Sequence, residues 1–292
     1  MKPEIIETFR KIYPRKPDTH KGDYGKIFVL AGSSGMTGAA CLSSFSALKS
    51  GAGLVYLGIP KSLSSVVESK LIEVIAVPLP ETKQGTVAVE AFKKLKNIAD
   101  GCDFLLIGPG LSRNNSTQEL VRKLVLSVKK PILLDADGLN AFESKVRLLK
   151  KRKTKSLILT PHPGEFSRLL KKSVQEIEKN REKFTREFAE KFNLILVLKG
   201  YRTIVVSSEG SMYINDSGNP GIATAGSGDV LSGVIAGLRV QGLSDFEAAS
   251  LGVYIHGRAG DIAANTKSEI SLIASDILKS LPVVFKEIIQ NI

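Results

Sequence analysis

The chain is 292 residues long, 43% hydrophobic and 24% charged, with two cysteines. These values sit near globular averages and exclude a disordered chain or one held by a disulfide framework. No apolar run approaches the roughly 20 residues that a bilayer-crossing helix needs. Charge is the skewed quantity: 41 Lys+Arg against 29 Asp+Glu leave a formal charge of +12, which points to nucleic acid, an acidic membrane surface or small polyanions as partners.

In chain order, residues 1–25 form a lead-in that mixes Pro3, Glu4 and Glu7 with apolar residues and contains no signal-peptide core, so the expected location is the cytoplasm. Short runs rich in Val, Ile and Leu then recur at 27–31, 54–59, 73–77, 104–107, 132–134, 157–159 and 195–198. Most are apolar on consecutive positions, which predicts strands buried on both faces of a parallel sheet. Helical periodicity falls between them, at about 38–51, 86–98, 114–128 and 174–192, and alternating βα units imply right-handed crossovers.

The basic tract at 145–155 has no interleaved aromatic residues, as a single-strand stacking platform would. The tract at 171–191 alternates Lys/Arg with Glu at helical spacing, the pattern of a solvated helix face. After Lys199 come two short strands, 203–207 and 211–215, around Ser208, Glu209 and Gly210, which predicts a hairpin at the sheet edge. Helices follow at about 228–241, 245–264 and 273–290. With no linker and no internal repeat, the expectation is a single domain over 1–292. Its fold class is α/β: a doubly wound, mainly parallel sheet flanked by helices, with ligands beyond the carboxyl ends of the strands.

The segments at those ends are rich in glycine. Gly32, Gly35 and Gly38 follow the first strand, and Gly108-Pro109-Gly110 follows the fourth. Neither segment is a Walker A loop or a dinucleotide fingerprint; both offer bare backbone that a flat ligand approaches closely or a tight turn uses. A third segment, from Gly218 through Gly226-Ser227-Gly228-Asp229, opens a helix. Backbone N–H groups at a helix N-terminus, with the helix dipole, make a cradle for a phosphoryl group. Asp229 beside it suits a general base that takes a proton from an attacking hydroxyl. Gly233 and Gly237 let another element pack closely on that helix, each at about 1 kcal/mol of helix propensity. Of the histidines, His162 lies between Pro161 and Pro163 at a strand end, where ligand contact is expected; His256 lies mid-helix and is expected to be structural.

Together these segments resemble the ADP-dependent NAD(P)H-hydrate dehydratases of the ribokinase-like superfamily. The resemblance rests on His20-Lys21-Gly22-Asp23-Tyr24-Gly25, Gly38-Ala39-Ala40, Gly51-Ala52-Gly53, Ile107-Gly108-Pro109-Gly110, Asp135-Ala136-Asp137-Gly138-Leu139-Asn140, Thr160-Pro161-His162-Pro163-Gly164-Glu165, Lys199-Gly200-Tyr201-Arg202-Thr203 and Ala225-Gly226-Ser227-Gly228-Asp229. It spans His20 to about His256. The family usually has Thr where Ser227 stands, and often Ala where Gly138 stands.

The resemblance implies a metabolite-repair lyase. A nucleotide phosphorylates the hydroxyl of the S epimer of NADH or NADPH hydrate, the ring nitrogen expels phosphate, and NAD(P)H returns with AMP and phosphate. Bacterial members use ADP as phosphoryl donor, eukaryotic ones ATP. By the same resemblance Asp229 is the catalytic base and Gly226, Ser227 and Gly228 hold the transferring phosphoryl. Lys199, Gly200, Tyr201, Arg202 and Thr203 bind the adenine nucleotide, and Ala39, Ala40, Gly110 and His162 line the hydrate site with Asp229. Glu165, Asp137 and Asn140 stand on the Mg²⁺ side of the phosphates, through water. A homotetramer is implied, with no nucleic-acid or membrane partner. An epimerase domain, fused ahead of this one in many organisms, is expected on a separate chain. The alternatives are a hydroxyethylthiazole- or hydroxymethylpyrimidine-type kinase, and a non-catalytic adenine-nucleotide-binding protein.

Overall fold

Residues 2–292 are described by the structure, a computed structural model. Among them nine strands form one sheet: β1 (Lys26–Leu30), β2 (Leu54–Pro60), β3 (Ile75–Leu79), β4 (Phe104–Ile107), β5 (Ile132–Leu134), β6 (Leu157–Leu159), β7 (Ile195–Leu198), β8 (Ile204–Val206) and β9 (Met212–Ile214). The helices are α1 (Pro3–Arg10), α2 (Thr37–Lys49), α3 (Ser64–Glu68), α4 (Phe92–Asp100), α5 (Asn115–Ser127), α6 (Asp137–Asn140), α7 (Pro163–Leu170), α8 (Val174–Lys179), α9 (Arg181–Phe192), α10 (Ser227–Arg239), α11 (Asp245–Lys267) and α12 (Ala274–Ile289).

The strands lie in the order β3-β2-β1-β4-β5-β6-β7-β8-β9. All neighbours from β3 through β7 are parallel, and β7-β8-β9 are antiparallel. The doubly wound sheet and the edge hairpin are therefore as the sequence pattern predicts. Alternate side chains face opposite layers. Ile27 and Val29 join an apolar cluster with α2, α10, α11 and α12, while Phe28 and Leu30 join a second one with α4, α5 and α9. Strand order reverses between β1 and β4, and such a switch point opens a crevice at the carboxyl ends.

Three elements differ from the sequence expectation. The single helix expected at 174–192 is two, α8 and α9, because Asn180 leaves helical geometry (φ −134°, ψ 35°) and its amide donates to the Glu176 carbonyl at 3.0 Å, competing with the helix ladder. The third strand starts at Ile75, two residues late, and runs on through Pro78; it is the outer strand, where a missing N–H is tolerated. The helix expected at 86–98 begins as a regular helix only at Phe92. The lead-in contains α1, whose Ile5 and Phe9 are buried in the first cluster.

Gly233 and Gly237 are where α10 meets α2. A Cβ on Gly233 would stand 2.2 Å from the Ser43 carbonyl oxygen, and one on Gly237 2.4 Å from that of Ala47. This close crossing brings the first turns of both helices to the same edge of the sheet. Gly233→Ala is predicted to destabilise the fold by about 1–3 kcal/mol through overpacking, read as a lower denaturant midpoint at unchanged slope.

Candidate active site

Five loops leave the carboxyl ends of neighbouring parallel strands and meet α10. In spatial order they follow β1, β4, β5, β6 and β7. The β1 and β4 loops are tied together at the switch point, where Gly32 N–H donates to the Pro109 carbonyl at 2.8 Å and the Ser33 hydroxyl to the Gly110 carbonyl at 2.8 Å. A Cβ on Gly110 would lie 3.0 Å from that of Ala39, and one on Gly32 3.0 Å from that of Ala40. Ala39, Ala40 and Gly110 are thus neighbours where α2 meets the β4 loop, with Ala40 fully buried.

Gly226 caps α10 with φ 87°, a left-handed conformation open to glycine at little cost. Ser227 starts the helix, and its N–H neighbours have no intrahelical acceptors. The Ser227 carbonyl and hydroxyl lie 3.0 and 3.2 Å from His256 Nε2. A carbonyl only accepts, so Nε2 carries the proton. Burial pushes the His256 pKa down to about 4, and the ring stays neutral. His256 therefore holds the cradle from beneath, the structural role expected for it.

Asp229 follows in the first turn of α10. Burial foremost, then the charge of Asp135, raises its pKa to about 7 against the opposing pull of Lys199. A carboxylate so placed accepts a proton at neutral pH far more readily than an exposed aspartate. Lys199, from the β7 loop, sets its Nζ 2.8 Å from Asp135 Oδ1 and 3.9 Å from Glu165 Oε2. Burial works against the ammonium, but Asp135 and Glu165 outweigh it and hold the Lys199 pKa above its ordinary value. On the other side, Nζ stands 3.2 Å from where a Cβ on Gly228 would be, against the cradle itself.

His162 caps α7: its Nδ1 accepts the Gly164 N–H at 3.0 Å, and Glu165 accepts the His162 N–H at 2.9 Å. Burial, then Lys199, lowers the His162 pKa, while burial raises that of Glu165; both shifts work against an ion pair at their 3.5 Å contact. Between the 199–203 segment, residues 215–220 and the start of α10 opens a cavity of about 920 Å³, floored by Leu231, Val253 and His256, the size of a cofactor site. Lys199, Gly200, Tyr201, Arg202, Thr203, Ser227 and Gly228, all expected on the nucleotide side, line it, whereas Gly226 does not. His162 lines it too, although the resemblance places this residue with the hydrate site.

Asp137 and Asn140 meet on the β5 side, each engaged by protein: Asp137 accepts from Ser112 N–H at 2.8 Å and from Asn140 Nδ2 at 2.9 Å, and Asn140 Oδ1 accepts from Arg168 at 3.0 Å. Among the described residues no group of three or more Asp, Glu, His or Cys is placed to hold a metal directly. Glu165, the third residue expected on the Mg²⁺ side, is buried and accepts from the His162 N–H instead, so only a cation that keeps its waters and rides on polyphosphate, as Mg²⁺ does, is compatible with these residues.

Sequence reasoning passed over Asp135, quoted within its segment but given no role. It is 1% exposed and accepts from the Thr160 hydroxyl at 2.8 Å as well as from Lys199. The residue after it, Ala136, has φ 48° and ψ −117°, outside the regions a non-glycine residue adopts at ease. The available signal was a carboxylate directly after a fully apolar strand.

Residues 27–283 match the NAD(P)H-hydrate dehydratase family. The chain belongs to that family. It is 42% identical over 278 residues to a bifunctional NAD(P)H-hydrate repair enzyme of Moorella thermoacetica, covering 95% of this chain and 52% of that one. It is 37% identical to an ADP-dependent (S)-NAD(P)H-hydrate dehydratase of Neisseria meningitidis, covering 85% and 80%. A crystal structure of the ADP/ATP-dependent NAD(P)H-hydrate dehydratase of Bacillus subtilis, co-crystallised with ATP and Mg²⁺, superposes with a TM-score of 0.79 at 31% identity over 94% of each chain. The chain spans about half the length of the bifunctional relative.

His256 gives the dehydratase-family fold a pH signature. Its folded pKa of about 4 lies below the unfolded value of 6.5, so the unfolded chain takes up the proton first. This contribution to stability is complete above about pH 6.5 and is lost as pH falls toward 4, by about 3 kcal/mol. Denaturant midpoints across that window are expected to fall more steeply for the native chain than for His256→Gln; equal slopes would contradict the assignment.

Proposed function

We propose that the protein is a nucleotide-dependent hydro-lyase that restores NADH or NADPH from the S epimer of its hydrate, with ADP or ATP carrying Mg²⁺ as phosphoryl donor. The observation that carries this reading is the meeting of three groups: the N-terminal turn of α10 at Gly226, Ser227 and Gly228, the ammonium of Lys199 beside Gly228, and the carboxylate of Asp229 beside Gly226, its pKa raised by burial to about 7. Family membership and the relatives' named activities support the substrate.

The large cavity takes the nucleotide along the 199–203 segment, with its terminal phosphoryl at the cradle. The hydrate lies toward Ala39, Ala40 and Gly110. Asp229 removes the proton from the hydrate hydroxyl as its oxygen attacks phosphorus; the cradle N–H groups and Lys199 meet the charge on the moving group. With ADP as donor, AMP leaves. The phosphorylated carbon then loses phosphate as the ring nitrogen donates its lone pair, and a proton lost from the neighbouring ring carbon completes NAD(P)H. Mg²⁺, held by the polyphosphate with its waters facing Glu165, Asp137 and Asn140, would neutralise phosphate charge. This reading has residues 1–292 act as one domain in the cytoplasm, as a homotetramer working with an NAD(P)H-hydrate epimerase. Among the described residues no helix is long and apolar enough to cross a membrane.

Incubation with ADP, Mg²⁺ and NADH hydrate is expected to restore the reduced-nicotinamide absorbance; no recovery with either ADP or ATP would refute the proposal. Asp229→Asn is expected to lower turnover by about 10²–10⁴, the contribution of a general base, with nucleotide affinity little changed. Because Asp229 must be ionised to act, kcat/KM is expected to rise with pH through about 7. A rate flat across neutrality would remove Asp229 from the base role.

A further inference from the structure

Asp135 does not line the large cavity, yet its surroundings are unusually specific. It follows β5, its Oδ1 receives both Lys199 Nζ and the Thr160 hydroxyl at 2.8 Å, and its backbone N–H donates to the Ile107 carbonyl at 3.1 Å. Gly108, at φ 136°, lets the β4 loop press on it; a Cβ there would sit 1.7 Å from the Asp135 carbonyl oxygen.

A purely stabilising ion pair explains this poorly. A buried pair of charges is often no better for stability than apolar residues of the same volume. The strained backbone at Ala136 adds a further cost. Moreover the pair is buried on one side only: Asp135 is sealed, whereas Lys199 is 18% exposed, lines the cavity and presses on Gly228. A lysine ammonium rides on a flexible four-carbon stem. To act at a cradle its position must be fixed, and a sealed carboxylate behind it does so while leaving N–H donors free to face the ligand.

We infer that Asp135 is a positioning residue, which fixes the ammonium of Lys199 at the Gly226–Gly228 cradle so that its charge is in place before the phosphoryl group arrives. Thr160 holds the carboxylate rotamer, and the turn at Ala136 aims it. This assignment rests on the proposed phosphoryl transfer and adds to it a residue that touches neither ligand.

The test is a double-mutant cycle of Asp135→Asn and Lys199→Met, followed in turnover and in calorimetric affinity for ADP. Lys199→Met is expected to lower kcat by about 10²–10³, as loss of a charge-stabilising donor does. Asp135→Asn is expected to lower it by about 10², the effect of misplacing such a group by about an ångström. The double variant should be no worse than Lys199→Met alone, in both readouts. Additive losses would overturn the assignment and leave Asp135 a structural residue. Should Asp135→Asn fail to fold, Thr160→Val replaces it, with a smaller loss that must likewise vanish in the Lys199→Met background. A native chain that binds ADP but repairs no hydrate would refute the functional reading while the affinity cycle still decides Asp135; a native chain without ADP affinity would refute both.

Discussion

One half-buried ammonium organises the site. Lys199 Nζ is shared by Asp135 and Glu165 and interacts electrostatically with Asp229. Four carboxylates, counting Asp137, would otherwise repel one another at a partly buried site, and like charges repel more strongly as the surroundings become less polar. The result is graded: Asp135 pairs with Lys199, and Asp229 and Glu165 are left with raised pKa values. A polyphosphate with its cation enters an environment already arranged around positive charge and N–H donors.

The sheet supplies the spatial order. Moving from β1 through β4, β5 and β6 to β7, the carboxyl-end loops present Ala39, Ala40 and Gly110, then Asp135 and Asp137, then His162 and Glu165, then Lys199 and the nucleotide segment. On the proposed reading, substrate and donor lie along one edge with the charged groups between them. The tight crossing of α2 on α10 through Gly233 and Gly237 sets the N-terminal turn of each helix at that same edge. Fold and proposed chemistry share these two glycines: widening the crossing would move the start of α10 away from Ala39, Ala40 and Gly110.

Much of this was legible in the sequence because the informative features are local. Consecutive apolar runs announce buried parallel strands, and Gly-Ser-Gly-Asp before an apolar helix announces an anion cradle. Asp135 was not legible, since its meaning lies in partners 25 and 64 residues away, Thr160 and Lys199; only the pairing of β5, β6 and β7 brings them together. His162 shows the same limit, its loop position being readable but not the wall it would line. The basic tracts are a third case. Phe184, Phe188 and Phe192 bury one side of α9, and Lys172 lies over the Phe184 ring at 4.8 Å, with Lys150 and Lys191 each 5.8 Å from that of Phe192. Part of the charge excess is therefore a cover over an aromatic stripe, contributed by both tracts across separate elements.

The fate of the transferred phosphorus atom tests the account most directly. Phosphorus NMR of a reaction containing ADP, Mg²⁺ and NADPH hydrate should show inorganic phosphate and AMP growing together, in step with restored NADPH and with no lasting phosphate ester. A stable phosphorylated product, with no dinucleotide regenerated, would make the protein a kinase built on this cradle and contradict the lyase mechanism.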